Sequence, residues 1–163
     1  MRRRRDLRQP TAFRILSPIH QANRQASLHI DGILKDLRVS ASEGQLLAFV
    51  AARDGVPVTA VVRLLGVSKS TVTSLLQRLQ RAGLIRRDGN PADARSQLVF
   101  ATGKGSRVGV AARERVRNLE RRLQARVSDA DMRSLQRIVD AVTGETGINL
   151  PAENVPPKRR RRK

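Results

Sequence analysis

The segment from Ser68 to Ala82 constrains the fold most, because it carries a single apolar stripe at helical spacing on an otherwise polar stretch. Ser68 is placed to cap the start of a helix, and Gly83 follows the last turn as a terminating glycine. The stripe consists of Val72, Leu75, Leu76 and Leu79. The pattern predicts an amphipathic helix with one buried face.

The polar face of this predicted helix contains short hydrogen-bonding side chains and cations, and it has no acidic residue. Its residues are Lys69, Ser70, Thr73, Ser74, Gln77 and Arg78. An ordinary surface helix alternates Glu with Lys or Arg, whereas an acid-free face suits a helix that lies beside phosphates in a DNA major groove. The alternative is a solvated helix without a ligand.

The neighbouring residues predict a small domain around this helix. Residues 59–65 form a short helix closed by Gly66, so the two helices make a helix–turn–helix. Residues 84–87 and 97–100 are predicted as two short strands around a polar loop, residues 88–95. A helix–turn–helix followed by a basic hairpin is a winged helix.

These residues resemble the MarR family of bacterial transcription regulators. The resemblance is carried by residues 68–82, Gly-Leu-Ile-Arg-Arg at 83–87, Asn-Pro-Ala-Asp-Ala-Arg-Ser at 90–96 and Ala-Thr-Gly-Lys-Gly at 101–105. Members of that family carry an Asp and an Arg in the wing, here Asp93 and Arg95. The similarity extends over residues 14–144. It implies a winged helix whose first and last helices form a homodimer.

Helices are also predicted on both sides of the winged helix. Apolar residues recur every three or four positions from Phe13 to Leu37, and Ser40 and Glu43 have the spacing of a capping box. After the wing, Thr102 is predicted to cap a helix whose apolar stripe is Val108, Ala112, Val116, Leu119, Leu123 and Val127. Ser128 and Asp131 are predicted to start a further helix, whose apolar seam is Met132, Leu135, Val139 and Val142.

The fold class predicted from these elements is mainly α with a small β-wing. A basic N-terminal tail (1–12) precedes a dimerisation helix (13–39), the winged helix–turn–helix (40–101), two C-terminal dimerisation helices (102–145) and a Pro-, Arg- and Lys-rich tail predicted to be disordered (146–163). The apolar seams of the terminal helices would be exposed in a monomer, which soluble proteins rarely tolerate. We therefore expect a homodimer.

The charge of the chain favours a polyanionic partner. The formal net charge is +19, from 33 Lys and Arg against 14 Asp and Glu, and about +9 remains without residues 2–5 and 158–163. Three Phe, with no Trp or Tyr, disfavour readers of single-stranded nucleic acid, which stack bases on aromatic rings. The absence of Cys excludes thiol sensing and thiolate zinc sites. With no apolar run near 18 residues, a cytoplasmic protein without a membrane partner is expected.

The predicted DNA contacts divide into three groups. Residues at the start of the recognition helix favour a phosphate, those further along it favour base edges or phosphate, and those in the wing (residues 86–97) approach the minor groove. The groups are Ser68, Lys69, Ser70 and Thr71; then Thr73, Ser74, Gln77 and Arg78; then Arg87, Asn90 and Arg95. Asp93 is predicted either to orient Arg95 or to form an ordinary Asx turn.

Neither catalysis, a cofactor nor a metal is expected from the sequence. No Gly-rich phosphate loop or Cys nucleophile is present, and His20 and His29 lack the further ligands of a zinc site. The resemblance implies a small-molecule effector between the dimer helices and the winged helix. The residues predicted to line that cleft are His20, Arg24, Leu28, Leu46 and Phe49.

Together these features predict a homodimeric regulator, acting as a repressor, on a pseudo-palindromic double-stranded DNA site. An architectural or nucleoid-type protein that binds DNA without regard to sequence is the main alternative. An RNA-binding or ribosome-associated adaptor that uses only the Arg-rich tails is a third.

Overall fold

A computed structural model describes residues 13–91 and 93–147. The predicted tails lie outside these residues, apart from Thr146 and Gly147. The described elements are α1 (Leu16–Ile33), a 3-10 turn (Lys35–Leu37), α2 (Ala41–Ala51), β1 (Val56–Pro57), α3 (Val58–Leu65), α4 (Lys69–Arg81), β2 (Ile85–Asn90), β3 (Asp93–Ala101), α5 (Gly103–Gln124) and α6 (Asp129–Thr146). The predicted fold class, mainly α with a small β-wing, is confirmed.

The four predicted helix caps are confirmed because each satisfies backbone N–H groups that the first turn leaves free. The Ser40 hydroxyl accepts from the N–H of Glu43, and the Ser40 N–H donates to the Glu43 carboxylate, which completes a capping box. Ser68, Thr102 and Ser128 accept the equivalent N–H bonds at α4, α5 and α6. Local side-chain chemistry therefore sets these four helix starts.

The wing is larger than the sequence predicted. Strands β2 and β3 pair antiparallel from Ile85 opposite Ala101 to Gly89 opposite Gln97, with an irregularity after Gly89. The polar loop predicted at 88–95 was therefore wrong, because most of it is strand held by pairing across the hairpin. Strand β1 adds a third strand, with Val56 opposite Val99, and gives the order β1-β3-β2.

The hydrophobic core lies between the helix–turn–helix, the sheet and α2. Its fully buried side chains include Leu46, Leu47, Val50, Val56, Val61, Val72, Leu76, Leu79 and Val99. Three of these belong to α4 and come from the stripe that the sequence placed there. The buried stripe orients α4 so that its polar face points outward.

Two glycines bring α5 against the core backbone. A side chain at Gly105 would overlap the carbonyl oxygen of Leu84, and a Cβ at Gly109 would lie 2.7 Å from the carbonyl oxygen of Leu47. Such an approach is available only to a residue without a side chain. The first half of α5, as far as Ala112, is consequently part of the winged-helix core.

The terminal helices are mostly exposed, and α1 contacts the core only near its C-terminal end within the described residues. No residue of α1 or α6 is buried. Near the end of α1, the Asp31 carboxylate accepts the N–H of Ala41 at 2.6 Å. Asp36 then forms a two-point ion pair with Arg115 of α5, and this hydrogen bonding lowers the pKa of the Asp36 carboxyl. No helix within the described residues combines the length and the apolar composition of a membrane span.

Candidate nucleic-acid interface

The polar face of α4 is open to solvent, as a DNA-reading helix requires. Gly66 adopts a left-handed conformation (φ 61°) that ends α3 and allows the chain to turn into α4. Each residue of α4 that the sequence assigned to DNA is exposed: Lys69, Ser70, Thr71, Thr73, Ser74, Gln77 and Arg78. The described residues of the subunit leave Thr73 and Gln77 uncovered.

The hydroxyls at the start of α4 form one cluster. Ser68 Oγ lies 2.8 Å from both Ser70 Oγ and Thr71 Oγ1, and it accepts the N–H of Thr71 at 3.2 Å. These side chains are therefore engaged in capping the helix. The first helical N–H groups and the Lys69 ammonium are left to meet an anion at this end.

The middle of α4 offers two different kinds of side chain. Thr73 donates its hydroxyl proton to the carbonyl oxygen of Lys69 at 2.9 Å, so that hydroxyl can only accept a further bond. Ser74 and Gln77 donate and accept no hydrogen bond within the described part of the chain. The Gln77 amide is thus the best-placed group for a base edge, since it can donate and accept at once.

Arg78 has an acidic partner that the acid-free pattern of α4 did not reveal. Its Nε donates to Glu43 Oε1 at 2.5 Å, and Glu43 comes from the first turn of α2. The Arg78 side chain is still 59% exposed, whereas that of Glu43 is 6% exposed. The buried acid therefore anchors this arginine at one nitrogen only.

Between α4 and β2 lies a shallow groove of about 500 Å³, lined by Gln77, Gln80, Arg81 and Arg87. Arg87 is partly buried, and its Nε donates to Gln80 Oε1 at 2.7 Å. The groove contains two guanidinium groups and no acid, which suits a phosphate. Arg81 is not among the DNA contacts predicted from the sequence. It lies one turn after Gln77 on the same helix, so the helical spacing could have revealed it.

The tip of the wing is stiffened by its own side chains. Asn90 donates from Nδ2 to Ser96 Oγ at 2.8 Å, and Ser96 donates to the carbonyl oxygen of Asp93 at 3.1 Å. Asp93 is exposed. Arg95 belongs to β3, but its side chain lies outside the described part of the structure, so its contact with Asp93 stays a prediction.

Arg86 is engaged inside the wing rather than free at its surface. Its guanidinium lies 4.1 Å from the centre of the Phe100 ring and pairs with Asp88. A cation held by a ring and a carboxylate is a weaker candidate for DNA than Arg87. Arg86 is not among the residues predicted from the sequence to contact DNA, and the geometry agrees with that prediction.

The residues predicted for an effector cleft are distributed between a surface helix and the core. His20, Arg24 and Leu28 are exposed on α1. Leu46 is fully buried in the core and offers no surface, and the Arg53 guanidinium lies 3.7 Å from the ring centre of Phe49. The cleft therefore stays a prediction.

Among residues 13–91 and 93–147, no three of His, Asp and Glu are grouped as a metal site requires.

Comparison with known proteins finds similarity centred on the same segment. Residues 38–96 match the model of the MarR family. Over 63 residues the chain is 32% identical to the transcriptional regulator HosA of Escherichia coli O111:H-. The aligned segment covers 39% of this chain and 47% of HosA. The chain thus spans about half the length of the HosA relatives it matches.

Solved structures extend the likeness to most of the chain. The S. aureus MepR–DNA complex superposes with a TM-score of 0.74 and 19% identity, covering 82% of this chain and 99% of that one. A mutant of MarR from E. coli complexed with operator DNA gives a TM-score of 0.70 and 21% identity, with 80% and 94% covered. At these identities the superpositions establish a shared fold, including the helices on both sides of the winged helix.

Proposed function

We propose that this chain is a transcriptional regulator of the MarR family, whose model its residues 38–96 match, and that it binds double-stranded DNA as a homodimer. The observation that carries the proposal is the exposed polar face of α4, where Ser74 and Gln77 have no hydrogen-bond partner among the described residues and the cations lie at the edges of the face. A helix presented in this way fits a major groove. The proposal contains no catalytic step.

The wing supplies the second DNA contact in this proposal. Arg87 lines the groove beside α4, while Asn90, Asp93 and Arg95 lie towards the tip of the hairpin. Arg87 and Arg95 would hold phosphates or enter the adjacent minor groove. Arg95→Ala should weaken DNA binding without dissociating the dimer, measured by titration of duplex and by sedimentation. Unchanged affinity would remove Arg95 from the site.

Dimerisation is supported by the apolar surface that the terminal helices expose. Large apolar side chains are exposed near the start of α1, at the end of α5 and along α6: Phe13, Ile15, Leu16, Ile19, Leu123, Val127, Met132, Leu135, Ile138 and Val139. Such a concentration on one monomer is characteristic of an interface. A symmetric dimer would place two copies of α4 about one turn of DNA apart, on a pseudo-palindromic site.

Competition binding tests specificity against the architectural alternative. A regulator should prefer its own promoter to mixed-sequence duplex by about a thousandfold or more, whereas an architectural protein should bind both alike. Affinity that falls with salt equally for every sequence would favour the second function. RNA that displaces duplex through the terminal Arg and Lys residues would favour the adaptor.

Gln77→Ala tests whether α4 reads bases. The substitution should alter the preference at particular base pairs, and an equal loss on every sequence would assign Gln77 to phosphate binding instead. Gln124→Ala, at the end of α5 and hydrogen-bonded only to Glu120 within the described residues, is a matched control that should bind as the wild type does.

Repression and effector control complete the proposal. Placed on a promoter, the dimer would block transcription, which a reporter with and without the protein measures. An effector near His20, Arg24, Leu28 and Phe49 would release DNA by binding one spacing of the two winged helices better than the other. Aromatic acids that raise the melting temperature and weaken DNA binding together would support such a site.

A further inference from the structure

Glu43 is the only buried charged residue in the part of the chain that the structure describes, with 4% of its surface exposed. A carboxylate loses favourable hydration when it is buried, so its retention needs a compensating role. Glu43 lies beneath the flank of α4, the helix proposed to enter DNA.

Both carboxylate oxygens of Glu43 are occupied by different partners. Oε2 accepts the backbone N–H of Ser40 at 2.9 Å, and Oε1 accepts the Nε–H of Arg78 at 2.5 Å. The first bond belongs to the capping box of α2, a role that an uncharged glutamine fills equally well. The negative charge is required only by the second bond, to Arg78.

The Nη edge of the Arg78 guanidinium faces solvent, unlike its Nε, which is bonded to Glu43. A guanidinium has five N–H donors in one plane, and fixing Nε leaves the four on Nη1 and Nη2. Neither Nη atom donates a hydrogen bond within the described residues, and the side chain is mostly exposed. At about 100° per residue, Arg78 lies roughly 70° from the middle of the exposed face of α4. This position is on the flank of the helix, and the flank of a helix in the major groove faces a DNA strand rather than base edges.

We propose that Glu43 is a positioning residue that holds the Arg78 guanidinium by its Nε so that its Nη groups bind a DNA phosphate. The proposal rests on the DNA-binding function proposed above. It assigns to α2, a helix with no predicted DNA contact, control over one phosphate contact of α4. Because that contact is independent of base sequence, it can be measured without knowledge of the operator.

Glu43→Gln separates the positioning role from the capping role. Glutamine has one acceptor oxygen. When that oxygen keeps the bond from the Ser40 N–H, the NH₂ group faces the Arg78 Nε–H and cannot accept from it. We expect a five- to tenfold loss of affinity for a mixed-sequence duplex of about 30 base pairs, long enough for both half-sites. Ser40→Ala is the control, because it removes the capping hydroxyl but retains the backbone N–H that binds Glu43.

Arg78 variants provide a readout that helix stability alone would not change. Arg78→Lys keeps the charge and the pair with Glu43 but has no second nitrogen for a phosphate, so it should lose as much affinity as Glu43→Gln. The double variant Glu43→Gln with Arg78→Ala should bind no more weakly than Arg78→Ala. Both Arg78 variants should lower the slope of log affinity against log salt by about one.

The outcomes separate the two proposals. A wild-type protein that binds no duplex would overturn the proposed function. Duplex binding by the wild type with unchanged affinity in Glu43→Gln, an equal loss in Ser40→Ala, or independent losses in the double variant would overturn the positioning role alone. Circular dichroism and melting temperatures of each variant show that the comparison is between folded proteins.

Discussion

The winged-helix core and the terminal arms of this protein solve the problem of burial in opposite ways. We define the core as residues 34–112 and the arms as residues 13–33 and 113–146. Every buried residue of the described chain lies in the core. The arms contain longer helices with a clear amphipathic pattern, yet most of their large apolar side chains are exposed.

This difference shows that the same helical periodicity has two structural meanings. In α4 the apolar stripe at Val72, Leu76 and Leu79 is covered by the chain itself. In α6 an equivalent stripe, including Leu135 and Val139, remains exposed. The core can therefore gain its hydrophobic free energy within one subunit, whereas in the proposed dimer the arms would gain theirs from the second subunit. Substitutions in the core should therefore act on the stability of one subunit, and substitutions in the arms on dimerisation.

Gly105→Ala should damage the core most. A methyl group there would overlap the carbonyl oxygen of Leu84, which is backbone and cannot rotate away. We expect a loss of roughly 3 kcal/mol or more in the free energy of unfolding, the upper range for overpacking. Gly103→Ala, two residues earlier, meets only the end of Arg107 at 3.9 Å and should retain wild-type stability in a denaturant titration. Equal stability of the two variants would contradict the tight packing of α5.

Leu135→Gln should act on the arms and spare the core. Burial of a leucine contributes about 1.5–3 kcal/mol per side chain, and a symmetric dimer loses two. The dimer should therefore dissociate at concentrations at least about a hundredfold higher, measured by sedimentation, while the core keeps its circular dichroism. Arg133→Gln introduces the same residue on the polar face of α6 and is the matched control. A Leu135→Gln dimer of normal affinity would remove α6 from the proposed interface.

Ser128→Ala tests how far α6 depends on its own cap. The Ser128 hydroxyl accepts the N–H of Asp131 at 3.2 Å, and the Ser128 N–H donates the reciprocal bond to the Asp131 carboxylate. Loss of such a cap costs about 1 kcal/mol. Hydrogen exchange should accelerate in the first turn of α6 and remain unchanged in α2. Faster exchange in both helices would show that core and arms unfold together.

Acid should weaken the arms through two carboxylates, Asp131 in α6 and Asp36, a core residue that pairs with Arg115 of the arm. Hydrogen bonds from Ser128 lower the pKa of Asp131, and the bond to Arg115 lowers that of Asp36. A lowered pKa in the folded state means that the stabilisation is present above the unfolded pKa, about 3.9, and is lost as the pH falls through the folded pKa. Asp36→Asn and Asp131→Asn should each lower the melting temperature slightly at pH 6 and match the wild type at pH 2. A deficit that persists at pH 2 would indicate lost packing instead.

The parts of the fold that the sequence predicted correctly depend on neighbours along the chain. Ser40, Ser68, Thr102 and Ser128 each bond a backbone N–H three residues later, so the capping signal is contained in four consecutive residues. The stripe of α4 repeats every three or four residues for the same reason. The exposed face of α4 followed directly from that stripe.

What the sequence did not predict depends on residues far apart. Glu43 and Arg78 are separated by 35 positions, and Asp36 and Arg115 by 79. The third strand pairs Val56 with Val99, and the wing strands extend through residues of poor strand propensity because their partners are already aligned. No local pattern encodes such pairings, so the polar residues of the wing predict a loop.

The close fit of α5 has a geometric consequence for regulation. This helix has 22 residues, about 33 Å at 1.5 Å per residue, and its glycine-bearing half is fixed to the core while its other half extends into the arm. It can therefore transmit motion from the arm to the core. A tilt of α5 by about 5° about its arm end would shift its core end by roughly 3 Å, which is close to the rise of one base pair. In the proposed dimer, minor repacking of the arms would thus be enough to bring the two copies of α4 into or out of phase with the DNA.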